Sequence, residues 1–470
     1  MKKLILLLLI PYFSFSQTLC ESGYAGSYPC DNIDLQVFLP NALFGASEGN
    51  DSWGWTDPTT NKEYAIYCNT HNTAFIDITD PVNPIYLGKL NSHTSSSIWR
   101  DAKVYNDHVF IVSEASGHGM QVFDLTRLRN VTSPPEMFTE DAHESSFGHA
   151  HNIAINEATG YAYIIGASPY NGGPIFINIQ DPLNPVNEGG YGSEGYSHDA
   201  QIVVYNGPDT EHVGKEIYFG PNETSIVIVD VTDKANPVTL SESFYSGAQY
   251  THQLWVDENH EYLYANDELD EYYNGGNTRN IVFDISDLDN PALHMEYYGP
   301  TTAIDHNNYV VGDKLYIANY RAGLRIVDIS DVVNNNMTEI AYFDTYPANN
   351  NANFDGAWSV YPYFGSKNIV ISDINSGFFV VKEHDDTSSV TEYELNLLSL
   401  SPNPTDDFLT IQLSEENFKN VTVYNMLGKK ILEVDNLSVL NQYDLNVDSL
   451  DKGVYTLVVN NYLVKSFIKK

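Results

Sequence analysis

Short β-branched and aromatic runs alternate with Gly, Asp and Asn turns along most of the chain, and residues 305–331 show the unit most plainly. That stretch reads Asp-His-Asn-Asn-Tyr-Val-Val, a turn at Gly312-Asp313-Lys314, Leu-Tyr-Ile-Ala-Asn-Tyr, a break at Arg321-Ala322-Gly323, then Leu-Arg-Ile-Val-Asp-Ile-Ser-Asp. The alternation predicts three antiparallel strands, with a fourth over 338–343. The third-strand signature, an apolar run closed by Asp and a polar turn, recurs along the chain. It stands at Phe75-Ile-Asp-Ile-Thr-Asp-Pro81, Val122-Phe-Asp-Leu-Thr126, Ile175-Phe-Ile-Asn-Ile-Gln-Asp-Pro182, Ile226-Val-Ile-Val-Asp-Val-Thr-Asp233 and Ile281-Val-Phe-Asp-Ile-Ser-Asp287, with a degenerate copy at Gly377-Phe-Phe-Val-Val381. A spacing of about fifty residues is the four-strand period of a propeller blade. The chain is therefore expected to be all-β, a seven-bladed β-propeller over 17–382. The lone alternating strand Ile33-Asp-Leu-Gln-Val-Phe38 has no repeat of its own, while the last blade runs out after its third strand. Pairing the two closes the ring and removes two exposed edges.

The ends carry different signals. Met1-Lys-Lys, an apolar run over 4–10 and Pro11-Tyr-Phe-Ser-Phe-Ser-Gln17 predict a secretory signal peptide over 1–16, too short to span a bilayer. No other stretch reaches spanning length, so no transmembrane span is expected. With 62 acidic against 23 basic residues, nucleic acid and anionic membrane are excluded as partners. Cys20 and Cys30 flank a Gly/Ser/Tyr/Pro loop in a chain bound for an oxidising location, which predicts a disulfide. Cys68 lies within a strand pattern and is expected to be a buried small hydrophobe. A polar linker over 383–394 leads to short alternating strands over 395–470, a small β-sandwich. Its motifs Ser401-Pro-Asn-Pro, Val423-Tyr-Asn-Met-Leu-Gly428 and Gly453-Val-Tyr455 resemble the type-A C-terminal sorting domain of the type IX (Por) secretion route. The resemblance implies the type IX secretion machinery as a partner and passage across a Gram-negative outer membrane. It also implies removal of this domain and a product that is secreted, at the outer-membrane-associated cell surface or extracellular.

Aligning the blades on their first strands brings one register into view: Asp51, Arg100, His151, His198, His252, His306 and Asp355. A lone channel histidine is ordinary wet lining. Four in successive blades repel one another if protonated and gain from a shared cation. We therefore expect a divalent metal on His151, His198, His252, His306 and Asp355, zinc first, with iron, manganese, copper or calcium as alternatives. Calcium would want more oxygen ligands than the ring offers. Asp199 and Asp305 are expected to orient the rings, with His149, Arg100, His118 and Asp267 as further supporting or ligand-binding groups. Glu114 and Glu268, from loops between second and third strands, are the acid–base candidates.

No phosphate-binding loop and no Gly-x-Ser-x-Gly elbow occurs. The tryptophans fall mostly in first strands and read as inter-blade packing, with Trp53 or Trp99 as a sugar or peptide platform. The motifs Trp53-Gly-Trp-Thr-Asp57, Gly148-His-Ala-His-Asn152, Ser197-His-Asp-Ala-Gln201, Asn266-Asp-Glu-Leu-Asp-Glu271 and Gly356-Ala-Trp-Ser-Val-Tyr-Pro362 resemble those of the choice-of-anchor B family, secreted LVIVD-repeat propellers with alternative C-terminal anchors. That resemblance covers 20–381 and implies fold and location, with no activity attached. Two functions follow from these features. The first is a surface module that binds an extracellular glycan, peptide or protein through a His-rich, metal-binding channel mouth. The second is a metal-dependent hydrolase or oxidase using the same histidines.

Overall fold

The unit at 305–331 folds as its alternation requires: Asn307–Val311, Lys314–Ala318, Leu324–Asp331 and Asn336–Phe343 pair antiparallel in that order. The recurring Asp ends each third strand by a local turn. Asp77, Asp124, Asp230, Asp284 and Asp328 accept the backbone N–H two residues on at 2.9–3.0 Å, so the strand backbone curls out of its ladder. This computed structural model describes residues 17–384, 398–425, 429–435, 437, 439–460 and 463–470. The expected signal peptide, positions 385–394 of the expected linker, 395–397, and 426–428 of the second sorting motif lie outside the described residues.

Seven such sheets form the first unit, and their first strands contact one another in sequence from Gly49–Thr56 round to Ala357–Tyr361, which returns to Gly49–Thr56. Ile33–Pro40 completes the seventh sheet, pairing antiparallel with Gly377–Glu383 from Ile33 against Glu383 to Pro40 against Gly377. That last strand runs one residue into the expected linker, and His384 bonds Asp34 at 2.9 Å, so 383 and 384 belong to the propeller. Between neighbouring blades lie separate apolar clusters, such as Phe75, Phe123 and Val109 between the first two.

Two edge covers were not foreseen. Tyr24–Ala25 and Tyr28–Asp31 form a hairpin on the outer strand of the sixth blade, with Cys30 opposite Phe343, before the chain crosses to close the seventh. The N-terminal segment thus straps two adjacent blades, and Cys20 is bonded to Cys30 as expected. Cys68 is buried and free. Elsewhere, Glu136–Phe138 leaves the second blade to pair parallel with Ile85–Asn91, shielding the outer edge of the first. Among the described residues the C-terminal unit has two sheets, Leu398–Ser401, Phe408–Phe418 and Val439–Asn446 in one, and Lys430–Val434, Val421–Asn425, Gly453–Val459 and Leu463–Lys469 in the other. Leu409, Ile411, Val421, Val423 and Leu457 are buried in its own core.

In the second blade, buried Arg100 donates from Nη1 to His118 Nε2 at 3.0 Å and from Nε to the Asn69 carbonyl at 3.3 Å. A guanidinium can only donate, so His118 carries its proton on Nδ1, which donates to the Gly119 carbonyl at 2.9 Å. Burial, then the neighbouring guanidinium, push this imidazole down to about 3. An unfolded chain protonates it near the ordinary value of about 6.5, so it favours unfolding increasingly as pH falls from about 6.5 toward 3. Replacing His118 by Gln should flatten the pH dependence of stability in that window by about 1.4 kcal/mol per pH unit relative to the parent, measured by urea unfolding. Parallel profiles would mean that the folded imidazole titrates normally. Cys20→Ser should lower stability by about 2–4 kcal/mol in non-reducing urea, because the bridge restrains the strap. An unchanged midpoint would show that closure does not depend on it.

Candidate functional site

The four histidines stand at or just before the first strands of blades three to six, where the chain enters the channel. Their rings form a row, with centroids 4.2 Å apart for His151 and His198, 4.0 Å for His198 and His252, and 4.2 Å for His252 and His306. A chain of hydrogen bonds runs the same way round. His198 Nδ1 donates to the His252 carbonyl at 3.1 Å, His252 Nδ1 to the His306 carbonyl at 3.1 Å, and His306 Nδ1 to the Trp358 carbonyl at 2.6 Å. His151 Nδ1 meets Glu114 Oε1 at 2.6 Å instead. Because a carbonyl can only accept, Nδ1 of His198, His252 and His306 bears the proton and Nε2 keeps its lone pair. Burial holds His198 and His252 far below the ordinary imidazole range, with the neighbouring rings adding to the effect, and pushes His306 down to about 3. All three are neutral at neutral pH.

The rings line a cavity of about 340 Å³ together with Trp99, Tyr320, Trp358 and Glu268. Glu268 reaches in from the loop between the second and third strands of blade five. Its Oε2 lies 3.9 Å from His252 Nε2 and its Oε1 3.9 Å from His306 Nε2, and the Tyr320 hydroxyl donates to Oε1 at 2.6 Å. Burial pushes its carboxyl up to about 7. One ligand atom from each of His252, Glu268 and His306 lies within 4.8 Å of the others. Zinc bonds of about 2.0–2.1 Å in a tetrahedron put ligand atoms about 3.4 Å apart, so small side-chain shifts would gather this set around an ion.

The arrangement departs from the expected one in several places. Two imidazoles and a carboxylate converge, whereas His151 and His198 continue the row away from that point, each a blade further round. Glu268, expected as an acid or base, stands beside the two imidazoles where Asp355 was expected. Asp355 instead binds Arg321, accepting from Nε at 3.0 Å and from Nη2. At the histidine register blade seven offers Trp358, three residues later, and the same count back from Trp53 gives Asn50 in blade one. Trp358 lies in the irregular pairing at Ala357/Ser359 as His252 lies in that at Thr251/Gln253 of blade five, so the two share a position and Asp355 falls in the loop before the strand. Asp199 lines a different cavity and takes the Ala200 amide at 2.7 Å. Asp305 is fully buried and accepts from Asn266 at 2.7 Å; neither carboxylate orients a ring through a hydrogen bond. Asp267 is structural, accepting from the Tyr245 hydroxyl at 2.9 Å and from the Gln249 and Tyr250 amides at 2.7 Å, which fixes the loop that presents Glu268. Arg100 and His118 serve each other, and His149 does not line the cavity. Sequence pattern did place Glu114 and Glu268 on the histidine face.

Family models match the chain in two places. Residues 399–470 match the secretion system C-terminal sorting domain, and residues 308–345, within blade six, match the LVIVD repeat. No curated protein matches. Among solved structures, the chain is similar to PorZ, a surface component of the type-IX secretion system of Porphyromonas gingivalis, at 13% identity and a TM-score of 0.46, covering 89% of this chain and 59% of that one. It is also similar to an extracellular domain assigned to a one component system of B. thetaiotaomicron, at 13% identity and a TM-score of 0.47, covering 92% and 57%. The chain thus spans less than two thirds of either protein's length. Among the described residues no helix is long and apolar enough to cross a membrane. Built of β-sheets with an LVIVD repeat and ending in that sorting domain, the chain is a β-propeller surface protein secreted by the type IX route.

Proposed function

We propose that the displayed propeller binds an extracellular ligand through a divalent metal held by His252, His306 and Glu268. The observation that carries this reading is the tautomer lock. Both imidazoles give their Nδ1–H to a backbone carbonyl, the partner that metal-binding histidines use, and their Nε2 atoms flank one buried carboxylate. Two neutral imidazoles and one carboxylate suit zinc first, with iron, manganese and copper as alternatives. A single carboxylate is too few oxygens for calcium. Three protein ligands leave an open position toward the cavity, where a carbonyl, carboxylate or hydroxyl oxygen of a glycan, peptide or protein would complete the shell. The motifs outside the matched repeat, such as 148–152 and 197–201, extend the likeness to the choice-of-anchor B family over the other blades.

One observation favours a metal-dependent hydrolase or oxidase as the second reading. His151 shares the cavity and has its Nδ1 held by Glu114, the pairing of a base with the carboxylate that orients it. Elemental analysis of full-length protein, purified without chelator, should find about one divalent ion per chain. His252→Ala and Glu268→Gln should each lose most of it, whereas His108→Ala, at the start of the second strand of blade two, should lose none. Metal-free parent protein would sink the proposal. Turnover of any ester, amide or thiol substrate that both chelator and His151→Gln abolish would move the reading to the enzyme. We also propose that residues 1–16 and the sorting domain are removed during export. The intact mass of surface-released protein should then place its C-terminus between 383 and 397; product retaining Gly453-Val-Tyr455 would contradict this.

A further inference from the structure

The channel has a second cavity with a different lining. Three residues on from the histidine register, the first strands present Trp53, Lys103, Trp255, Tyr309 and Tyr361 to a space of about 470 Å³. Tyr363 stands among them, its ring centroid 5.4 Å from Tyr361, 6.1 Å from Tyr309 and 6.4 Å from Trp255. Its hydroxyl is buried without a hydrogen-bond partner among the described residues.

The lining also carries three ionisable side chains, Lys103, Glu157 and Asp199. Lys103 Nζ lies 2.6 Å from Asp101 Oδ1, 4.0 Å from Asp51 Oδ2 and 4.6 Å from the centre of the Trp53 ring. The protein thus already holds one ammonium between an aromatic face and carboxylates. Three acids, Asp51, Asp101 and Asp199, act on that one cation. Asp101 is fully used, taking Lys103 and the Ala102 amide on Oδ1 and the Ile153 amide on Oδ2. Asp199 is not. It lines the cavity, its Oδ1 takes the Ala200 amide, and among the described residues its Oδ2 has no hydrogen-bond partner.

We propose that this cavity binds a small organic ammonium ion, with Asp199 as its counter-ion and the faces of Trp255, Tyr309 and Tyr361 around it. An anion would meet the acid surplus. Burial pushes the Asp51 carboxyl up to about 8 and that of Asp199 up to about 7, so beside a neutral ligand Asp199 is partly protonated, whereas a cation beside it holds it ionised. A metal ion would find the carboxylates of Asp199 and Glu157 but no imidazole or thiolate, among aromatic and aliphatic walls. A weakly hydrated ammonium is attracted by the carboxylate and the aromatic faces alike.

The test titrates full-length protein with choline and with its neutral isostere 3,3-dimethylbutan-1-ol. Binding is followed by tryptophan fluorescence and calorimetry, with chelator present so that the histidine mouth holds no metal. Choline should bind saturably and about tenfold or more tighter than the isostere. Asp199→Asn should weaken choline by about tenfold and leave the isostere unchanged. Equal binding of the two probes would mean an apolar cavity only and would overturn the proposal, as would the absence of a saturable choline response. The comparison of probes uses unaltered protein, so a variant that fails to fold does not spoil it.

Discussion

The site depends on ring closure more than on any contact within it. Twisted sheets in a circle leave two free edges until the last blade receives its fourth strand. Here that strand is Ile33–Pro40, paired with Gly377–Glu383 from end to end with one irregularity at Leu35/Val37. Closure sets the angle between successive blades, and that angle places the imidazoles 4.0–4.2 Å apart. The row of Nδ1–H donors ends on the Trp358 carbonyl of the seventh blade. The sheet completed by the N-terminal strand is therefore also the sheet that anchors the last histidine.

Packing and chemistry divide along each first strand. Its opening carries a histidine in four of the seven blades, and three residues on from that level five of the seven offer a large aromatic or Lys103 to the other cavity. Between these levels lie Asp51, Asp101, Gln253 and Asn307, all buried and polar. Burying so many polar groups is tolerable because most are bonded across blades: Asp101 takes the Ile153 amide, and Gln253 exchanges bonds with Asn308. The channel is thus a polar seam that joins the blades, with apolar clusters outside it.

Much of this was legible in the residues. The alternation and the Asp turns identify the sheets because both act locally, within a few residues of the strand they shape. The histidine register was legible in blades three to six, where a histidine itself marks the position in each. It failed in blade seven because the residue there is Trp358, whose type gives no signal, while the nearby Asp355 belongs to the loop before the strand. Glu268 was visible as a loop acid, yet its position between two imidazoles depends on how Asp267 clamps the loop, which no pattern encodes. The strap over blade six escaped for a related reason. Tyr24–Asp31 is too short and too rich in turns to read as strands, and it becomes a hairpin because a waiting edge accepts it.

That closing strand also orders the folding of the chain. Ile33 leaves the ribosome long before Glu383, its partner, so a strand made near the start of the chain waits for one made near the end of the propeller. A contact of such sequence separation pays the full loop-closure entropy and contributes nothing to early intermediates. Until the seventh blade exists, the N-terminal segment can fold only its own small disulfide hairpin, and an open arc of blades presents unpaired edges at both ends. A propeller of this kind presents open edges until almost all of residues 33–383 is available, and the sorting domain over 399–470 follows the closing pair in sequence, so it is made after both partners of that pair.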